Sequence, residues 1–392
     1  MVSSQGYKKG GWPRTRMIHA IQIKGYRAFD DFSMSGLGRI NLLVGKNNTG
    51  KSSLLEALSL LWADNDPNAL WQILSKRGEH PVIETTPGRP IQLEVDVGHL
   101  FKGHQAQIGS SFTISTTNET PERSIRYEVV EADPKDNPVL FNMLASQEPA
   151  GAVMALKITV NNKSFPPIPL TQRGSLRHDI LFNAFFSLAR TRQSEREAGH
   201  YIPAHYIPTE SLSTTELLQL WNKIALTSAE GRVIHALRYI DPDIKRVSPV
   251  FGLPIIGGIG IYRGGFLVRR RGEERIPIGS LGDGIWRMFS LAIVLSANPN
   301  GLVLIDEIDT GLHYTVMEKM WHFVNEVSKE FQIQIFATTH SYDCVHALAS
   351  ICNESEEAKE ISIQKIEAGK NRAIHYSEPE IRIAARRHIE VR

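Results

Sequence analysis

The feature that most constrains this chain is the octapeptide Gly45-Lys46-Asn47-Asn48-Thr49-Gly50-Lys51-Ser52, which fits the pattern G-x-x-x-x-G-K-[ST]. An apolar run, Ile40 to Val44, precedes it and reads as a buried strand. Behind it Leu54, Leu55, Leu58, Leu61 and Trp62 recur at helical spacing. The octapeptide therefore lies between a strand and a helix N-terminus, where successive backbone N–H groups form an anion-binding nest and the helix dipole favours negative charge. Gly45, Asn47, Asn48, Thr49, Gly50, Lys51, Ser52 and Ser53 are the candidate phosphate-binding residues. Lys51 is expected to reach the β- and γ-phosphates of a nucleotide, and the Ser52 hydroxyl to take one coordination site on Mg²⁺.

A second acidic element is expected to complete that site. Leu302-Val303-Leu304-Ile305 reads as a buried strand running into Asp306-Glu307. Asp306 is placed to hold Mg²⁺ and Glu307 to act as general base on an attacking water. Another strand, Ile333 to Ala337, ends in Thr338-Thr339-His340-Ser341, a polar cluster placed to touch the γ-phosphate. Upstream, Ser280-Leu281-Gly282-Asp283-Gly284 precedes an apolar helix over residues 285–297.

The rest of the chain sets the frame. Its 392 residues suffice for two or three domain-sized units, and 42% hydrophobic with 22% charged residues is ordinary for a globular protein. A net charge of +2 neither excludes nor advertises a nucleic-acid partner. The two cysteines, Cys344 and Cys352, cannot form a disulfide framework and have no metal-ligand cluster around them, so the chain reads as reduced and cytoplasmic. No apolar stretch approaches the ~20 residues of a membrane span. Residues 1–16 carry Lys8, Lys9, Arg14 and Arg16 among glycines and no apolar core, which reads as a flexible basic tail and not a secretory signal.

Met17–Ile23 and Asp30–Leu37 read as strands joined through Gly25 to Phe29, with Arg27 either near the nucleotide or on the surface. Residues 64–90 read as irregular. Alternating segments between Ile91 and Val160 read as an antiparallel sheet with one wet face. Helical periodicity is expected over 176–190 and 214–240. Residues 250–278 read as a solvated hairpin bearing Arg269, Arg270, Arg271 and Arg275 beside Glu273 and Glu274. A hairpin over 361–376 and a short basic helix are expected to close the chain.

In this order the motifs resemble those of the ABC-type ATPases of the SMC, RecF and OLD (overcoming-lysogenization-defect) group. The resemblance covers 17–62 and 280–345 specifically, and Asp306 to His313 with Thr339-His340-Ser341 look most like OLD-type proteins. It implies an α/β fold, an ABC-type P-loop ATPase head with an antiparallel β subdomain and a helical insertion. The corresponding divisions are a tail at 1–16, an N-terminal half at 17–175, an insertion at 176–245 and a C-terminal half at 246–392. It further implies ATP and Mg²⁺ as cofactors, a D-loop at Asp309 and a catalytic H-loop histidine at His340. A glutamine that senses the γ-phosphate is either Gln72 or Gln92. The resemblance implies a homodimer or higher homo-oligomer in which Ser280 and Gly282 of one subunit face the nucleotide of another. The signature departs from the usual L-S-G-G-Q, which bears on the detail of that trans contact.

About fifty residues follow His340 and contain no strand ending in a D-x-D pair, so a TOPRIM nuclease domain is expected to be absent. The short form resembles ATPase components of bacterial anti-phage systems that work with a separate effector, a nuclease of TOPRIM or HNH type. A RecF-like repair ATPase and an assembly protein with little turnover are the alternatives. Weak, sequence-independent DNA binding is expected through the tail and the Arg269–Arg275 segment.

Overall fold

The computed structural model describes residues 17–81, 93–117, 122–145, 153–184, 204–250, 265–272, 274–353 and 360–391. In chain order, β1 (Ala20–Tyr26), β2 (Phe29–Ser35) and β3 (Ile40–Val44) precede α1 (Lys51–Ala63) and α2 (Pro67–Lys76). Then come β4 (Glu94–Asp96), β5 (Ser111–Thr116), β6 (Ser124–Glu131), α3 (Pro138–Ala145), β7 (Met154–Val160), β8 (Lys163–Ser164), β9 (Ile168–Pro169) and β10 (Ser175–Arg177). A helix α4, described over residues 178–184, is followed by β11 (Ala204–Ile207), α5 (Thr214–Ile224) and α6 (Ser228–Arg238). The strands β12 (Ile244–Pro249), β13 (Phe266–Arg270) and β14 (Arg275–Pro277) lead through a 3₁₀ turn at Ile278–Leu281 into α7 (Asp283–Ala297). The chain closes with β15 (Leu302–Ile305), α8 (Tyr314–Glu330), β16 (Gln334–Thr338), α9 (Tyr342–Leu348), β17 (Ile361–Lys365), β18 (Ile374–Tyr376) and α10 (Glu378–Arg386).

Two sheets organise these elements. The six-stranded sheet has the order β11-β15-β16-β3-β17-β18, with all neighbours parallel except the β17–β18 hairpin. Its strands are short apolar runs because both faces are covered. Leu43, Leu302, Leu304 and Phe336 pack on the α1 side, while Leu42, Val44, Val303, Ile305, Ile335 and Ala337 pack with α5 to α8 on the other, following the period of two. The second, antiparallel sheet runs β2-β1-β5-β6-β7-β8, with β9 also on β7.

α1 lies between the two sheets: its leucines share one core with Ile23, Ile114 and Ile125 of the antiparallel sheet and with Leu304 and Phe336 of the parallel one. That position explains why Ser53, Glu56, Ala57 and Leu60 are buried along with the expected apolar face. A polar network ties the sheets at their other end. The buried Asn41 amide donates to the Gly38 and Ile335 carbonyls, and the Gln334 amide to those of Ile18 and Gly38.

Several expectations are corrected. Residues 64–90 are not irregular throughout, because Pro67–Lys76 is a helix whose N-cap, Asp66, accepts from the Asn68 N–H, with proline at its first position. Glu94–Asp96 lies outside the large antiparallel sheet and pairs with β10, so residues 176–177, expected to open a helix, are strand. The 176–245 segment is not purely helical: β11 within it is a member of the parallel sheet, hydrogen-bonded to β15. The 214–240 periodicity resolves into two helices, because Thr227 caps a new one after Ala225. Residues 1–16, Gln92 and Glu273 lie outside the described residues.

Candidate active site

Ligands of open parallel sheets sit outside the carboxyl ends of the strands, and four such ends meet here. β3 ends at the Gly45–Ser52 loop, β15 at Asp306, β16 at Thr338 and β11 at Ile207. One strand, β16, separates the loop strand from the acidic strand, and it brings Thr338 between them.

The loop needs its two flanking glycines for steric reasons. Gly45 has φ +144°, and a Cβ there would collide with the Ile366 carbonyl oxygen. Gly50 has φ +97°, and a Cβ would stand 2.7 Å from the Phe29 ring. Lys51 is buried, and its ammonium donates at 2.8 Å to the carbonyls of Gly45 and Lys46. Burial lowers its pKa while Asp306 and Glu307 oppose the shift. The cation thus sits across the mouth of the loop on neutral acceptors, which nucleotide phosphates would exceed in charge. Thr49 Oγ1 donates to the Lys46 carbonyl and closes the turn, whereas Asn47 and Asn48 are exposed. Ser53 Oγ accepts a hydrogen bond from Arg77.

Ser52 Oγ donates to Asp306 Oδ1 at 3.2 Å, so the two expected metal ligands are neighbours in space although far apart in sequence. A hydroxyl and a carboxylate are the hard oxygen donors that Mg²⁺ takes, alongside water and phosphate oxygens; the residues present fit that ion. Asp306 is further held by Thr338 Oγ1 at 2.6 Å and by the Tyr206 hydroxyl, which donates to Oδ2 at 3.3 Å. Burial raises the Tyr206 pKa, with Asp306 adding to the shift, so the phenol remains a donor.

Glu307 has φ +48°, a left-handed backbone that a non-glycine residue holds only when its surroundings enforce it. The restraints are visible. Its N–H donates to Thr338 Oγ1 at 2.8 Å, and its carbonyl accepts from Arg287 Nη2 at 2.8 Å. Its carboxylate accepts from Thr310 Oγ1 at 3.0 Å and lies 3.9 Å from His340 Nε2. Asp309 accepts at 2.6 Å from Thr339 Oγ1. Asp306, Glu307, Asp309 and His340 therefore form one group with the loop.

Arg287 holds this group from behind. It is buried on α7, and its guanidinium donates to the carbonyls of Asp306, Glu307 and Pro208 and to Ser211 Oγ. Burial pushes its pKa down to about 10, against the pull of Asp306 and its neighbours. α7 begins at the Ser280–Gly284 turn, so one arginine links that turn to the acidic strand. Ser280 and Gly282 themselves are exposed, and a Cβ on Gly282 would meet nothing within 4 Å.

Sequence reading missed Tyr206 and Arg287. A four-residue strand leaves too little periodicity to place Tyr206. The signal for Arg287 was present: it is the one charged residue in the apolar run Ile285–Ala297. Arg27 is neither a surface residue nor a member of the group above. It is buried, pairs with Glu79 through two bonds at 2.6 and 2.9 Å, and lies 3.1 Å from Glu56 on α1. Gln72 is exposed on α2 with no described bond to this group, and Gln92 lies outside the described residues.

Residues 17–96 match a family model described as "AAA ATPase domain", and residues 170–343 one described as "AAA domain, putative AbiEii toxin, Type IV TA system". An "ATP/GTP phosphatase" of Helicobacter pylori is 23% identical over 360 residues, covering 88% of this chain and 91% of that one. An uncharacterised protein of Methanocaldococcus jannaschii is 36% identical over 92 residues, which is 21% of this chain and 42% of that protein. In fold the chain is similar to an SMC head crystallised with the C-terminal winged-helix domain of ScpA, with a TM-score of 0.51 and 14% identity over 92% of this chain and 97% of that one. With the loop, the acidic strand and the Thr338–Ser341 segment gathered at one sheet end, these matches support an ABC-type/AAA P-loop ATPase, and the likeness to the SMC head is one of fold.

Proposed function

We propose that this protein is a Mg²⁺-dependent ATPase whose heads close in pairs on ATP, and that it serves as sensor and scaffold in anti-phage defence with a nuclease effector in trans. The observation that carries the hydrolytic part is the Ser52–Asp306 contact of 3.2 Å, with Glu307 next in sequence. When bound, Mg²⁺ would supply charge neutralisation of the β- and γ-phosphates. Lys51 would bind the phosphate oxygens. Glu307 would accept the proton of the attacking water, and His340, 3.9 Å from that carboxylate, would orient the γ-phosphate beside it. Asp309 would fix the segment that follows the base. The name of the Helicobacter pylori relative accords with nucleotide hydrolysis.

Pairing of heads draws on the exposure of Ser280 and Gly282, which leaves the signature turn open to a second subunit. The defence role draws on the family description that names a toxin of a toxin–antitoxin system. A cytoplasmic location fits the finding that no helix among the described residues is long and apolar enough to cross a membrane.

The test is steady-state hydrolysis of ATP with Mg²⁺ against EDTA, for the native chain and Glu307→Gln. Metal-dependent turnover that falls about 10²-fold or more in the variant, with ATP still bound, supports the assignment. Equal rates overturn it. Co-purification of a nuclease from the native host tests the effector.

A further inference from the structure

Asp306 is held by both of its carboxylate oxygens. Oδ1 accepts from Thr338 Oγ1 at 2.6 Å and from Ser52 Oγ at 3.2 Å, and Oδ2 accepts from the Tyr206 hydroxyl at 3.3 Å. The three hydroxyls come from three separate elements: β16, the start of α1 and β11. A carboxylate has about four lone-pair sites, so this pattern leaves roughly one for a cation. The plane of the group is fixed as well. Thr338 holds one oxygen and Tyr206 the other, and turning the plane would break both bonds. Tyr206 is itself anchored. It stands opposite Leu304 in the parallel register, so its side chain shares a face of the sheet with Leu304 and, two residues on, Asp306. Its ring packs against the core around α1, and the Lys76 ammonium lies over it, 5.5 Å from the centroid.

We propose that Tyr206 is a positioning residue that sets the metal preference of this site, favouring Mg²⁺ over Ca²⁺. The inference rests on the reading of Ser52 and Asp306 as metal ligands. The two ions ask different things of a carboxylate. Mg²⁺ needs near-ideal octahedral geometry at about 2.0–2.1 Å, whereas Ca²⁺ takes about six to eight oxygens at about 2.3–2.6 Å and accepts bidentate carboxylates. A carboxylate held at both oxygens can offer one of them to a cation, directly or through water. It cannot turn to offer two. The arrangement therefore suits the smaller ion and withholds from the larger the second oxygen that it uses. Ser52 stays available in the same geometry, because its proton goes to Asp306 while its oxygen keeps lone pairs for a metal. Without the Tyr206 hydroxyl, Oδ2 is released and the carboxylate is free to turn. Hydrogen-bond partners of metal ligands act in this way, through the orientation of the ligand.

The test compares the native chain with Tyr206→Phe and with Tyr376→Phe, the same change on β18 and outside the site. Mn²⁺ bound in the presence of ADP is followed by electron paramagnetic resonance, and Mg²⁺ or Ca²⁺ is added until half of it is displaced. No turnover enters the readout. The native chain should release Mn²⁺ at a lower concentration of Mg²⁺ than of Ca²⁺. Tyr206→Phe should bind Mg²⁺ about tenfold more weakly, as expected when a metal ligand loses its hydrogen-bond partner, and Ca²⁺ no more weakly than the native chain does. The ratio of the two half-displacement concentrations should then move about tenfold toward Ca²⁺, and Tyr376→Phe should keep the native ratio. Phenylalanine keeps the ring against the α1 core, so the comparison is between folded proteins. Equal weakening for both ions in Tyr206→Phe, or an unchanged ratio, overturns the proposal and leaves the metal site standing. A native chain that binds no Mn²⁺ overturns the metal-site reading together with it.

Discussion

Arg287 Nη2 donates at 2.8 Å to the carbonyl oxygen of Glu307, a residue held at φ +48°. The contact is to the backbone, so it fixes where the Glu307 carboxylate starts from without neutralising it. The same guanidinium reaches the Asp306 carbonyl at 2.5 Å and the Pro208 carbonyl at 2.7 Å. It joins the helix that follows the signature turn to the two strand ends that carry Asp306 and Tyr206.

Replacing Arg287 is therefore expected to disturb turnover more than binding. Arg287→Met should lower kcat by about 10²-fold, the loss that an ångström of misplacement can cause. ATP affinity should change little, because Lys51 and the loop backbone remain. Isothermal titration with ATP and a separate kcat measurement check the split. Arg287→Lys, which keeps the charge but not the planar fork, should rescue only part of the rate.

Thr338 Oγ1 does two jobs, donating to Asp306 and accepting from the Glu307 N–H. Thr338→Val keeps the shape and removes both bonds. It leaves a part-buried N–H without its acceptor, so urea unfolding should show a loss of about 1 kcal/mol. Hydrolysis should fall as well, since both acids lose the same restraint.

The buried ion network behind α1 is expected to matter for stability and not directly for chemistry. Arg27 satisfies Glu79 and approaches Glu56, which Arg77 also contacts at 2.6 Å. Arg27→Ala leaves Glu56 short of one cation in the core and should cost about 3–5 kcal/mol. Equilibrium unfolding in urea measures it.

His205, half-buried on β11, has its pKa lowered to about 4, first by burial and then by Lys223. Its folded value lies below its ordinary value of about 6.5, so the unfolded chain binds the proton more readily. Stability from this group is present above pH 6.5 and is lost as pH falls toward 4, by about 2 kcal/mol after allowance for its partial exposure. His205→Gln should flatten that part of the pH–Tm curve, measured between pH 4 and 7.

Trans completion of the site can be tested by mixing. Lys51→Ala lacks the phosphate cation. Gly282→Arg blocks the signature turn, where open space in the single chain means that a clash arises only with a second subunit. The φ of +91° and ψ of 171° at Gly282 lie in a region essentially confined to glycine, where a side chain costs about 1–3 kcal/mol, so folding of that variant is checked first. Each should be inactive alone, and activity should return on mixing. No recovery, with mixed dimers shown by light scattering, removes the trans model.

The sequence by itself determined the phosphate loop, the acidic strand and the polar end of β16, because each is local: a strand, a turn and a helix start lie within a dozen residues, and their chemistry needs fixed residue types at fixed spacing. It also determined that Ile40–Val44 and Leu302–Ile305 are core strands, since only a sheet covered on both faces takes unbroken apolar runs. Tertiary structure alone decided what meets these pieces. Tyr206 reaches Asp306 because β11, a strand too short to show a period, pairs beside β15. Arg27 finds Glu79, just beyond α2, as its partner, and α2 itself forms from a segment whose proline and aspartate read as a loop but serve as first residue and cap of a helix. The sequence groups Arg269 with Arg275 on one expected hairpin, but only the pairing of β12 with β13 sets Arg246 opposite Arg269. Local pattern fixes what a segment is. Which distant segment it faces is set by the packing of whole sheets and helices, where the free energy of burial is shared among many residues and no single one carries the signal.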